Sequence, residues 1–160
     1  MEADLVGWLQ GVVGKGLTSV RASIHVYEGV GDYDNPQELE IQFSSGGRRK
    51  FRCSNDGVSI DSDPTELVDC DMAEYGKQVI EDLSDSPIWK DVISRALVGA
   101  VLIRSSVASS VVGVQFRFEG GLAVSVLNLG DELYIFQEIP SQLISDQEIE
   151  FFPVLLDSAS

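Results

Sequence analysis

Residues Val112–Phe136, VGVQFRFEGGLAVSVLNLGDELYIF, decide the fold. Val112, Val114, Phe116 and Phe118 alternate with Gly113, Gln115, Arg117 and Glu119, the period-2 pattern of a strand with one buried face. Leu122, Val124 and Val126 share that face on a return strand only if the connecting loop has an odd number of residues. A Glu119-Gly120-Gly121 loop, with a glycine in the left-handed position, satisfies the parity. Asn128-Leu129-Gly130-Asp131 is a second turn signal, and Leu133-Tyr134-Ile135-Phe136 reads as a third strand.

Upstream, Leu5, Trp8, Leu9, Val12 and Val13 fall at helical spacing, with Gly14 and Gly16 ending the helix. Leu17–Tyr27 is a half-buried strand with Val20, Ala22, Ile24 and Val26 on one face, and 29–36 is a loop by composition. Leu39, Ile41 and Phe43 form the next strand, Gly46-Gly47 the turn, Phe51 and Cys53 the return face, and Val58-Ser59-Ile60 a further strand after Asn55-Asp56-Gly57.

A shift of 75 positions, which carries Leu39 to Val114, also lays Ile41 and Phe43 on Phe116 and Phe118, Gly46 on Gly121, Phe51 on Val126 and Asp56 on Asp131. Val58 and Ile60 fall on Leu133 and Ile135. With small gaps Trp8 answers Trp89, and Val20 and Ala22 answer Val101 and Ile103. These matches predict one domain with an internal repeat, 5–60 and 86–136, related by a pseudo-two-fold. The predicted fold is mainly β: a sandwich or barrel-like sheet of two helix-strand-hairpin halves with short capping helices.

An acidic connector, 61–85, joins the halves. Within it Lys77–Leu83 reads as a strand, and Ser86-Pro87-Ile88-Trp89 as a helix start with proline in the first turn. The C-terminal segment, 139–160, is apolar enough to add an edge strand or lie across the sheet, with a frayed end at 157–160.

The 160 residues hold 26 acids against 11 bases, a net charge of −15. That balance repels nucleic-acid phosphates and anionic membranes and favours a basic protein partner. Two cysteines, Cys53 and Cys70, fit neither a zinc spacing nor a disulfide framework. The start has no basic region ahead of an apolar run, and no apolar run is long enough for a membrane span, so the cytoplasm is the expected location.

The only histidine, His25, has no visible catalytic partner, and neither cysteine forms a recognisable Cys–His pair. No nucleophile elbow, zinc-protease or phosphate-loop motif occurs, so no catalytic residue, metal or cofactor is expected. What remains is surface. Asp61, Asp63, Glu66, Asp69, Asp71, Glu74, Asp82 and Asp85, with Tyr75 and Trp89 as aromatic anchors, have the composition of an interface for a basic partner. Carboxylates on such a face can occupy the phosphate-binding arginines and lysines of a nuclease.

Asp71-Met72-Ala73-Glu74-Tyr75-Gly76, 82–89, 112–118 and 128–133 resemble a group of small acidic bacterial proteins found beside polymorphic toxins. The resemblance implies an immunity role, binding and inactivating a cognate toxin domain. Two alternatives stay open. A ligand-binding or dimerisation module would use the apolar C-terminal segment as its contact. A carboxylate-dependent hydrolase would bring two of Asp61, Asp63, Asp69 and Asp71 together in a pocket with one raised pKa.

Overall fold

The computed structural model describes residues 2–45 and 47–155. Gly46 of the first predicted turn and the C-terminal stretch 156–160 lie outside the described residues. The helices are α1 (Glu2–Val12) and α2 (Ser141–Asp146). The strands are β1 (Leu17–Tyr27), β2 (Val30–Gly31), β3 (Glu38–Phe43), β4 (Gly47–Cys53), β5 (Ile60–Asp63), β6 (Cys70–Asp71) and β7 (Lys77–Asp82) in the first half. The second half holds β8 (Leu97–Ser105), β9 (Ser110–Phe118), β10 (Leu122–Leu129), β11 (Glu132–Phe136) and β12 (Ile149–Pro153).

Leu122 pairs with Phe118, Val124 with Phe116 and Val126 with Val114, so the predicted three-residue loop sets the register. Two curled antiparallel sheets result. One runs β5-β4-β3-β1-β7-β6, with β2 paired to β1, and the other runs β11-β10-β9-β8-β12. Each is a four-strand meander whose first strand takes a later strand on its other side, β7 beside β1 and β12 beside β8.

The halves meet at an antiparallel bridge between Gly16 and Ala96. Around it the Leu17 amide donates to Arg95 carbonyl (3.0 Å) and Leu97 amide to Lys15 carbonyl (2.9 Å). Gly14 amide donates to Leu97 carbonyl (2.7 Å) and Ser94 amide to Leu17 carbonyl (2.8 Å). A shift of 80, which carries Gly16 to Ala96, exchanges the members of each pair, so the pseudo-two-fold axis passes through this bridge.

The core fills the space between the sheets. Val20, Ala22, Ile24, Leu39, Ile41, Phe43 and Phe51 face Ala100, Leu102, Val114, Phe116, Phe118, Val124, Val126 and Leu133, and α1 adds Leu5, Leu9 and Val12. Trp8 sits edge-on to Phe43, Phe51 and Phe116, the arrangement aromatic quadrupoles prefer.

Four expectations are corrected. Val20 and Ala22 answer Ala100 and Leu102 in the shared core, one residue before Val101 and Ile103, and Ile103 packs on the outer face. Val112 leaves the face of Val114, because the β8–β9 register slips between Ile103–Gly113 and Arg104–Val111, and this bulge turns it outward to Ile103 and Leu127. Val58 and Ser59 belong to a turn, since the Asp56 carboxylate accepts both of their amides (2.8 Å each), and the strand starts at Ile60. No helix begins at Ser86. Separate turns carry the chain through 84–94, with Ser86 carbonyl accepting from Trp89 and Lys90 and Trp89 carbonyl from Val92 and Ile93. Its serines, aspartates and β-branched residues favour turns over a continuous ladder.

Each sheet is crossed on its outer face by a strap. In the second half the strap is Gln137–Glu148 with α2, whose Ile139, Leu143 and Ile144 cover Ile103, Val112, Leu127 and Phe136. In the first half it is Pro64–Asp69, leading from β5 at one edge to β6 at the other. Five strand spacings are about 24 Å and seven extended residue steps cover about the same, so the strap has no slack. Beneath it Glu40 and Lys50 are buried, and Leu67, 5% exposed, is the apolar residue it presses down. One strap therefore lies on an apolar face and the other on a charged one.

Candidate functional site

Strand alternation puts Arg21, Glu38, Glu40, Arg48, Lys50, Arg52, Asp61 and Asp63 on the outer face of the first sheet. Arg52 is clamped by Asp61 (3.0 Å), Asp63 (2.7 Å) and Glu38 (3.6 Å). Arg21 pairs with Glu40 (2.8 Å), Lys50 with Glu38 (3.2 Å) and Arg48 with Glu66. Burial pushes the Asp63 carboxyl up, but hydrogen bonds from Thr65 and the charges of Lys50 and Arg52 outweigh it and hold it below the usual range. Asp61, Asp63 and Glu66 are thus counter-ions of this protein's own bases.

Trp89 is also placed otherwise than expected. It is 1% exposed and packed in the main core, so it anchors the turns of 84–94 and not a partner. Its apolar neighbours Ile88, Val92 and Ile93 carried that signal.

Asp69, Asp71, Glu74 and Tyr75 lie on the last residue of the strap, β6 and the 3-10 turn Ala73–Tyr75 that follows it. Asp69 Oδ1 accepts the outward amide of Ile80 (3.0 Å), closing the sheet edge just before β6 begins. Asp71 Oδ1 accepts the Ala73 amide (2.9 Å) and bends the chain into the turn. His25 Nε2 on β1 donates to Tyr75 carbonyl (2.8 Å), fixing the turn to the sheet. Gly76 follows at φ 93°, where a Cβ would collide with Val26 carbonyl.

The turn consequently stands out beside β1. Tyr75 is 69% and Tyr27 49% exposed, and with His25, Met72 and Glu74 they line an open depression. Among the described residues none of Asp69, Asp71 and Glu74 is in an ion pair with a base. Asp82 and Asp85 are exposed but sit at and beyond the other end of β7, about 17 Å along the strand. The Ser84 hydroxyl and amide hold the Asp82 carboxyl below its ordinary range. Sequence reading missed Tyr27, His25 and Met72, although continuing the polar alternation of β1 through Arg21, Ser23 and His25 reaches Tyr27.

The four carboxylates of the hydrolase alternative do not converge, since Asp61 and Asp63 close on Arg52 while Asp69 and Asp71 lie at the opposite edge. A separate cleft of about 410 Å³ is lined by Asp32, Asn35, Glu38, Arg52, Cys53 and Asp131, among others. Burial, with Asp131 and Glu132 nearby, pushes the Cys53 thiol up to about 11, so at neutral pH it is a thiol and a poor nucleophile. The apolar C-terminal segment, the contact of the dimerisation alternative, spends Leu143, Ile144 and Ile149 on the cluster under α2. Among the described residues no helix is long and apolar enough to cross a membrane.

Comparison with protein families, curated proteins and solved structures gives no match.

Proposed function

We propose that the protein is an immunity-type inhibitor that neutralises a cognate basic toxin domain, a nuclease being the class whose phosphate-binding cations fit it. Asp69, Asp71 and Glu74 steer the partner, and Tyr75 and Tyr27 anchor it, the roles these residue types take in charged interfaces. The observation that carries this reading is the sorting of the carboxylates. Those on the outer face of the first sheet are paired with its bases, whereas those around the protruding Tyr75 turn have none.

The test is affinity capture of the tagged protein from its host lysate at low and moderate salt, in parallel with a Glu74→Lys/Tyr75→Ala variant. One basic protein should be recovered by the native chain, released by salt and lost with the variant, and its activity should fall when the native chain is added. Equal recovery by both, or a captured partner whose activity is unaffected, overturns the proposal.

A further inference from the structure

The two strands that complete the sheets have unlike outer edges. The Leu83 amide donates to Val20 carbonyl (2.8 Å), so Gln78, Ile80 and Asp82 of β7 turn their backbone groups away from β1. The Val154 amide donates to Ala100 carbonyl (2.8 Å), so Ile149, Phe151 and Pro153 of β12 likewise turn theirs away from β8. A shift of 71, which carries Leu83 to Val154, superimposes the two sets.

In the first half two of the three outward donors, those of Gln78 and Ile80, are met from within the chain. Gln78 pairs with Cys70 of β6, and Ile80 donates to Asp69. In the second half β12 pairs with β8 alone, and among the described residues nothing accepts from Ile149 or Phe151. Phe151 is 39% and Phe152 47% exposed on this edge. Open edges with apolar side chains are templates for a further strand.

The geometry points to strand addition at β12 by an extended segment of a partner protein with an apolar–basic–apolar core. Two donors are offered, because Pro153 has none, so the added strand is as short as β6. The cation is set by Glu150, which lies between the two outward residues and is exposed. One of its oxygens accepts from the Ser106 hydroxyl (2.6 Å), and among the described residues Arg104, opposite it on β8, makes no ion pair with it. A second copy of the chain is the poorer occupant. The register that pairs Ile149 with Phe151 of another copy puts Glu150 directly opposite its own equivalent, and like charges facing across strands are destabilising. Each copy would also bring a net charge of −15. This edge is separate from the Tyr75 face and does not depend on the reading given to that face.

The test is a titration of the full chain, followed by amide NMR, with a short capped peptide alternating lysine and valine and with its glutamate counterpart. The lysine peptide should give saturable shifts at the Ile149 and Phe151 amides, and the glutamate peptide none. Phe151→Pro removes an outward donor without touching the β8 ladder and should weaken binding roughly tenfold or more. Glu150→Lys, which leaves the backbone intact, should reverse the peptide preference. Shifts confined to Tyr75 and its neighbours, equal response to both peptides, an unchanged response in Phe151→Pro, or dimerisation through β12 in sedimentation would each overturn the inference.

Discussion

Gly14 and Ser94 hold the same left-handed backbone, φ 89° and 72°, on the two sides of the Gly16–Ala96 bridge. Glycine takes this conformation without strain, whereas a residue with a Cβ costs about 1–2 kcal/mol there. The Ser94 amide makes one of the four bridge hydrogen bonds, which glycine at this position would keep. Ser94→Gly should therefore raise stability by about 0.5 kcal/mol, after the extra freedom of the unfolded chain is subtracted, and Gly14→Ala should lower it by about 1–2 kcal/mol. Urea denaturation with an unchanged slope checks both.

Trp89 and Tyr75 should separate stability from binding. Trp89→Ala leaves a cavity in the main core and should lose about 3–5 kcal/mol. Tyr75→Ala removes an exposed ring and should change stability by less than about 0.5 kcal/mol while lowering partner affinity about tenfold or more. Denaturation and titration of the captured partner measure the two effects.

The Arg52 clamp predicts an acid limb. Asp63 titrates below its ordinary 3.8 in the fold, so its stabilisation is present above that pH and lost as the pH falls through the lower folded value. Arg52→Ala removes the cation between Asp61, Asp63 and Glu38 and should flatten that loss only in part, because the Thr65 hydrogen bonds do more to lower the Asp63 carboxyl. The cost at neutral pH should stay near 1 kcal/mol, because the guanidinium is 40% exposed and screened. Thermal melts of both proteins from neutral pH to about pH 2 read the difference.

The two thiols should react unequally. Cys70 is exposed, whereas the Cys53 thiol titrates at about 11, so iodoacetamide at mildly alkaline pH should modify Cys70 first, as peptide mass mapping shows. An unfolded thiol ionises near 9.0, so the folded state holds this proton more tightly. Stability is unaffected by Cys53 at lower pH and falls as the pH rises between about 9 and about 11. Cys53→Ala should remove that alkaline loss.

Alternation and turn residues made most of the architecture legible, and the Phe118–Leu122 register followed from loop parity alone. What was not legible depends on contacts distant in sequence. Asp61 and Asp69 look alike in an acidic run, but one meets Arg52 across a strand pair and the other an amide at the far edge. Trp89 looked like an anchor because its surroundings in sequence are charged, while its surroundings in space are apolar. Val112 was misassigned by one face because a bulge leaves no mark on a period-2 pattern.

Every strand of each sheet comes from a continuous half, with the exchange point near Leu83–Asp85. The molecule is therefore a two-fold dimer written as one chain, and cleavage at that turn would leave each fragment owning a whole sheet. Such fragments, mixed, should reassemble around the shared aromatic core. The same layout lets one outer face turn ionic and the other oily while the common interior stays unchanged.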